Sequence, residues 1–414
     1  MSDRHLSRLP GLALATWALP CAVWAAGMGG VVPDGAQLDI DGPEDGVPAG
    51  VARLSGGGFV LGWTEGGGVL RAQRFDDARR PVGPSVQLAC FEGETCQRGE
   101  VVGDFSGGFW GTWTEYDPWA RAFLRRFSPE GVPVTSAIDL GLPGENMASA
   151  FAHLAPGADG GVLAVWAMAV WEPEGFPLKL ELQARRFAAD GTPLNATQGL
   201  NALPIPLVFD TDVAVSPSGG FVVVWSGFEE LPGGGYTIPV RFRLLDREGK
   251  PIGPPGTANA RDAMEYSFPK VAPLGRTGFL VLWTAEGPPS ARYRIFDWRG
   301  EPLTKELSLE PLDGRVDWAE ATDDGGAVAL VHSFSGVLSA VVFDGNGPKE
   351  AGTVAAVEVF GSTCTGIRGG RFLVSWRMPV DGAYELTAQG FKLLDLFADG
   401  FESGDTSRWS STTR

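Results

Sequence analysis

The sequence predicts an all-β fold, a single seven-bladed propeller of four-stranded blades, and three observations carry that prediction. A unit Gly-Gly-Phe-x-x-x-Trp recurs seven times in 414 residues, with its Trp positions 45–59 residues apart. Gly (59) and Pro (31) are abundant, and both break helix interiors. A strand near Val32 has no repeat before it, while the last repeat lacks a fourth strand.

The first unit runs Gly58-Phe59 to Trp63, Gly108-Phe109 to Trp113, Gly161-Val162 to Trp166, Gly220-Phe221 to Trp225 and Gly278-Phe279 to Trp283. It continues as Gly326-Ala327 to Val331, where Val replaces Trp, and Arg371-Phe372 to Trp376. A second unit follows the first six copies: a strand ending in Phe or Leu, a Gly four residues on, then often Pro. Arg125-Arg126-Phe127 with Gly131 and Pro133 is an example. The first copy keeps Arg74-Phe75 and Pro81 but carries Arg79 in place of the Gly, and the seventh, at Phe391, has lost the turn.

In the fifth copy Lys270–Leu274 reads as the first strand and Gly275–Gly278 as a turn. The apolar run Phe279–Thr284 reads as a second strand buried on both faces. Ala291–Asp297 alternates as a third strand, and Pro302–Leu309 reads as the fourth. Val32–Ile40 resembles the fourth strand Pro81–Leu88, so it is expected to complete the seventh blade and close the ring. Closure removes a sheet edge that would otherwise template aggregation. The domains expected are a signal peptide over 1–25, the propeller over 32–394 and a tail over 395–414. Arg4 and Arg8, an apolar Leu9–Val23 and Val23-Trp24-Ala25 supply the export pattern.

The repeats resemble those common in exported bacterial proteins of β-propeller type, with Gly-Gly-Phe-Val-Val-Val-Trp followed by Arg-Arg-Phe-x-x-x-Gly-x-Pro. The end, Ala398-Asp-Gly-Phe-Glu-Ser-Gly-Asp-Thr-Ser-Arg-Trp-Ser410, resembles a C-terminal signature of secreted bacterial proteins. The resemblance implies a repeat class and a secreted, periplasmic or cell-surface location, and no activity, because propellers host many functions.

A formal charge of −17 argues against nucleic acid as a partner, since phosphate contacts need a basic face. No segment is apolar and long enough to span a bilayer, and a monomer is expected. Cys90 and Cys96 are spaced for a local disulfide, leaving Cys364 unpaired. The repeat Trp residues are expected in the core, whereas Trp110, Trp119, Trp171, Trp298 and Trp318 are candidates for exposed contacts. Arg74, Arg126 and Arg186 are expected to pair with carboxylates such as Glu65 and Glu115.

Catalytic signatures based on Ser, Cys or paired His are absent. The first strands would line a central channel carrying Arg53, Asp104, His153, Asp212, Lys270, Asp317, Glu320 and Arg368. Asp39, Asp41 and Asp45 form a calcium-loop candidate, and no other cofactor is expected. The longest insertions offer Trp171, Phe176, Phe228 and Tyr236 as binding-loop residues. The leading expectation is a non-catalytic binding scaffold for an extracellular protein or glycan. The alternative is an extracellular carbohydrate-active hydrolase or lyase with carboxylates at the channel.

Overall fold

A computed structural model describes residues 31–393, apart from 41–45, 66–67, 91–95, 117–119, 142–146, 171–178, 202–206, 232, 261–266, 357–358, 360, 368–370 and 381–382. The expected signal peptide and tail lie outside the described residues, as do Asp41, Asp45, Trp119, Trp171, Phe176 and Arg368. Seven antiparallel sheets form the blades of a ring. The inner strands, blade by blade, are Val47–Arg53, Cys96–Gly103, Met147–Pro156, Leu207–Val215, Lys270–Leu274, Gly314–Ala321 and Ser362–Ile367. Each packs beside the next, and the last beside the first.

The ring closes as the sequence implies. Val31–Gln37 pairs antiparallel with Ala383–Leu393, with Val32 opposite Lys392 and Pro33 opposite Phe391, and supplies the outer strand of blade seven. The expected fourth strand Pro302–Leu309 is shorter than anticipated. Only Leu307–Ser308 is a strand, and Pro302 makes an isolated bridge to Phe296. Ile138–Asp139 and Gln198–Gly199 are equally brief. The repeat Pro has no N–H to donate, so the outer ladder breaks there, and a short edge strand is a poor template for association.

The two repeat units meet across the sheet. Phe59 stacks on Phe75, Phe109 on Phe127, Phe279 on Phe296 and Phe372 on Phe391, at centroid distances of 5.2–5.8 Å. Each pair is also a cross-strand neighbour in the register. Such contacts contribute about 0.5–1.5 kcal/mol beyond burial alone. The preceding Gly is required by close approach: a Cβ on Gly108 would lie 2.3 Å from the Phe127 carbonyl oxygen. Trp63, Trp113, Trp166, Trp225, Trp283 and Trp376 are all buried.

Trp110, expected to be exposed, is instead fully buried, and its indole N–H donates to Gly160 of the next blade. Cys90 and Cys96 are bonded across a Cα separation of 5.9 Å and staple blade one to blade two. No helix of the described residues is long and apolar enough to cross a membrane.

Antiparallel order places the turns between first and second strands, and between third and fourth, on one face of the disc. The longer connections lie on the other. These are the short-turn and long-loop faces below.

Candidate active site

The inner strands bring a set of polar residues to one level of the channel. Glu100, His153, Asp212, Lys270, Trp318 and Thr363 each pair with the residue three places into the second strand of their blade: Thr112, Val165, Val224, Leu282, Leu330 and Ser375. They occupy equivalent register positions in blades two to seven. Beside four of them the inner strand has a bulge, between Gln97/Glu100, Ala150/His153, Val208/Asp210 and Val316/Trp318. A bulge re-aims a side chain and here turns polar groups toward the axis.

These residues form an arc of interactions that passes from blade to blade. Glu100 Oε2 lies 2.8 Å from His153 Nδ1, and His153 Nε2 lies 3.2 Å from Asp210 Oδ1. Lys270 Nζ donates to Asp210 Oδ2 at 3.1 Å and sits 5.9 Å above the Trp318 ring. Asp212 accepts the Val213 N–H at 2.9 Å and, across the blade boundary, the Val271 N–H at 2.8 Å. Beyond Trp318, Asp317 holds Arg315 at 2.8 Å and accepts the Ser362 hydroxyl at 3.1 Å.

The charges do not balance. Glu100, Asp210, Asp212 and Glu320 are four carboxyls against two cations, His153 and Lys270. Burial works against the charge of His153, but Glu100 and Asp210 outweigh it and hold the imidazolium pKa at about 10. Lys270 is likewise raised, burial being overcome by Asp210 and Asp212. The surplus falls on the other two acids. Burial lifts Asp212 to about 6 despite Lys270 and His153. Burial, with the charges of Asp212 and Glu100 added, lifts Glu320 to about 8 even though the Ala321 N–H opposes it. Desolvation and like charge both disfavour ionisation.

Two cavities open on this level. One, of about 480 Å³, reaches to the short-turn face and is lined by Asp212, Glu320, Glu100, Trp318 and Cys364. The other, of about 320 Å³, reaches toward the long-loop face and is lined by His153, Asp210, Lys270, Asp317, Glu100 and Trp318. Glu100 and Trp318 line both, so the ion-paired arc stands between them.

The sequence-derived candidates separate. His153, Asp212 and Lys270 belong to the arc, and Asp317 adjoins it. Asp104 belongs to a turn: it accepts the Ser106 and Gly108 N–H groups and pairs with Arg126 at 2.7 Å. Arg53 lies at the short-turn rim of the 480 Å³ cavity. Glu100 and Asp210 were not anticipated, because the bulges beside them break the period-two pattern.

The expected Arg partners are corrected as well. Arg126 binds Asp104, Arg186 binds Asp159 and Arg74 binds Glu130, whereas Glu65 pairs with Arg71 and Glu115 accepts the Trp113 indole. Phe228 and Tyr236 do meet, with ring centroids 5.7 Å apart on the long-loop face of blade four. Asp39, the described member of the calcium candidate, is exposed, and no acidic or His/Cys cluster able to hold a metal occurs among the described residues.

No family model matches the chain, and no curated protein matches it. Solved structures share its fold. A protein of unknown function from Dyadobacter fermentans superposes with a TM-score of 0.52 at 12% identity, over 88% of this chain and 99% of that one. A Hadza microbial sialidase gives 0.50 at 11% identity, over 79% and 73%. An α-L-arabinanase of Penicillium chrysogenum complexed with arabinobiose gives 0.49 at 11%, over 87% and 98%. The expected non-catalytic scaffold is therefore set aside. A sialidase stands among the propellers of this fold, and the channel holds two carboxyls with displaced pKa values. What the chain shares with these proteins is the propeller fold.

Proposed function

We propose that the chain is an exported carbohydrate hydrolase acting in the 480 Å³ channel cavity. The observation that carries this reading is the pair Asp212 and Glu320, which line one cavity with pKa values of about 6 and about 8. Between those values Asp212 is ionised while Glu320 keeps its proton. Glycoside hydrolysis needs such a division of labour between two carboxyl groups.

Glu320 donates its proton to the glycosidic oxygen as the bond to the anomeric carbon breaks. Asp212 faces the developing positive charge and takes the proton of the attacking water, whose oxygen becomes the new hydroxyl. Two backbone N–H groups fix the orientation of Asp212, so it needs little reorganisation in the transition state. The Trp318 ring, shared by both cavities, supplies an apolar face on which a sugar can stack. His153 and Lys270 are positioning residues that hold Asp210 and Glu100 in place.

Export is supported by the disulfide, which persists in oxidising compartments, and by the N-terminal pattern, with cleavage proposed after Ala25. The test is release of reducing sugar from a panel of extracellular polysaccharides. Activity lost in both Asp212→Asn and Glu320→Gln supports the assignment, and turnover unchanged in either variant removes that residue from it.

A further inference from the structure

Three arginines at the seam between blades seven and one occupy positions where the other blades carry no charge. Arg53 ends the inner strand of blade one opposite Phe59. The equivalent residues are Gly103, Pro156, Val215, Pro273, Ala321 and Gly366. Arg371 precedes Phe372, where the other blades have Gly58, Gly108, Gly161, Gly220, Gly278 and Gly326. Arg79 has φ 63°, the left-handed conformation held by Gly131, Gly191, Gly249 and Gly300 at the same turn position. An L side chain is disfavoured there, so folding alone favours Gly.

All three converge. Arg53, Arg79 and Arg371 line one cavity of about 230 Å³ with Asp77, and Arg53, Leu54, Thr365 and Gly366 also line the 480 Å³ cavity, so the two cavities adjoin. Room for Arg79 comes from a fourth departure. Its guanidinium lies across Gly390, where a Cβ would be 2.2 Å from Nη1, and the equivalent residues in blades one to three are Arg74, Arg126 and Arg186. Asp34 accepts from Arg79, and its Oδ2 lies 3.5 Å from Arg371 Nε, with Lys392 3.8 Å from its other oxygen. Asp77 is engaged by the Gly58 N–H. Four cations thus face two carboxylates in a chain of net charge −17. Among the described residues the Arg53 guanidinium has no ion-pair or hydrogen-bond partner.

We propose that this cavity binds an oxyanion, carboxylate or sulfate, carried on a sugar that extends from the channel, so that the substrate is an acidic glycan. Arginine forks suit such groups because two N–H donors match two oxygens. The oxyanion site stands on its own geometry, and only its service to a substrate rests on the hydrolase reading.

The test is calorimetric titration of the full chain with inorganic sulfate, with a galacturonate oligosaccharide, and with a neutral oligosaccharide of the same length. The variants are Arg53→Val, Arg371→Gly and Arg79→Gly, each restoring a residue that other blades use, and melting curves establish that they fold. The acidic oligosaccharide should bind at least tenfold tighter than the neutral one, and Arg53→Val and Arg371→Gly should each weaken it at least tenfold. Sulfate binding with the same sensitivity shows that a free oxyanion suffices. Binding of the oligosaccharide without sulfate shows that the sugar is needed, and both results support the site. No preference for the acidic ligand, or variants that bind as tightly as the parent, overturns it. Binding through these arginines without hydrolysis of any glycan would sink the hydrolase reading and leave this site standing.

Discussion

The two ends of the channel are built from the same inner strands and differ in charge balance. Toward the long loops, each buried charge has a partner: His153 lies between Glu100 and Asp210, and Lys270 reaches Asp210. Toward the short turns, Asp212 and Glu320 make no ion pair with a cation, Arg53 lying only at the rim of their cavity, and burial raises both pKa values. A compensated buried cluster is a structural device, whereas an uncompensated one stores reactivity. Register position alone does not make a site. What matters is how many opposite charges the neighbouring blades bring to it.

The largest effect expected is on turnover. Asp212→Asn and Glu320→Gln should each lower kcat by about 10²–10⁴-fold, the range for a lost proton-transfer group. Initial rates on the substrate found in the polysaccharide screen would check this. Next in size is the compensated end. His153→Ala leaves Glu100 and Asp210 facing one another, and breaking a buried pair costs about 3–5 kcal/mol, read as a lower midpoint in urea. Equal stability losses at the two ends would break the contrast, because removing the charge of Asp212 or Glu320 should cost little.

Titration sharpens the comparison. The kcat/KM profile should be bell-shaped, falling below about 6 as Asp212 is protonated and above about 8 as Glu320 loses its proton. Stability should fall across overlapping ranges. Glu320 has a raised pKa, so its contribution is complete below its ordinary 4.5 and is lost as pH rises through about 8. His153 is also raised, so its contribution is complete below 6.5 and is lost through about 10. Asp212, raised to about 6, adds its own loss at the low end, so melting temperatures of Glu320→Gln should fall less steeply below about 8 and keep the decline above it.

Smaller effects are expected away from the axis. Replacing Cys90 and Cys96 by Ser should cost about 2 kcal/mol, because the closed loop is short. Replacing Glu130, the exposed partner of Arg74, should change stability by less than about 1 kcal/mol. Denaturant midpoints check both. A Glu130 effect as large as that of His153 would show that exposure does not separate these pairs.

Blade count, strand order and closure by the first strand are all legible in the amino-acid sequence. Those features rest on local signals: Gly where a Cβ would strike a carbonyl, Phe pairs across adjacent strands, and a missing strand matched by an orphan one. The sequence also places His153, Asp212, Lys270 and Glu320 on inner strands. Which of them meet depends on the folded ring. His153 and Asp210 are 57 residues apart in the chain, and Asp210 and Lys270 are 60 apart. Their contact depends on bulges that no alternation pattern reveals and on the ring bringing equal register positions together. The arginine-lined cavity is non-local for the same reason. Its walls come from the first and last blades, which share no sequence neighbourhood and become adjacent only when the ring closes.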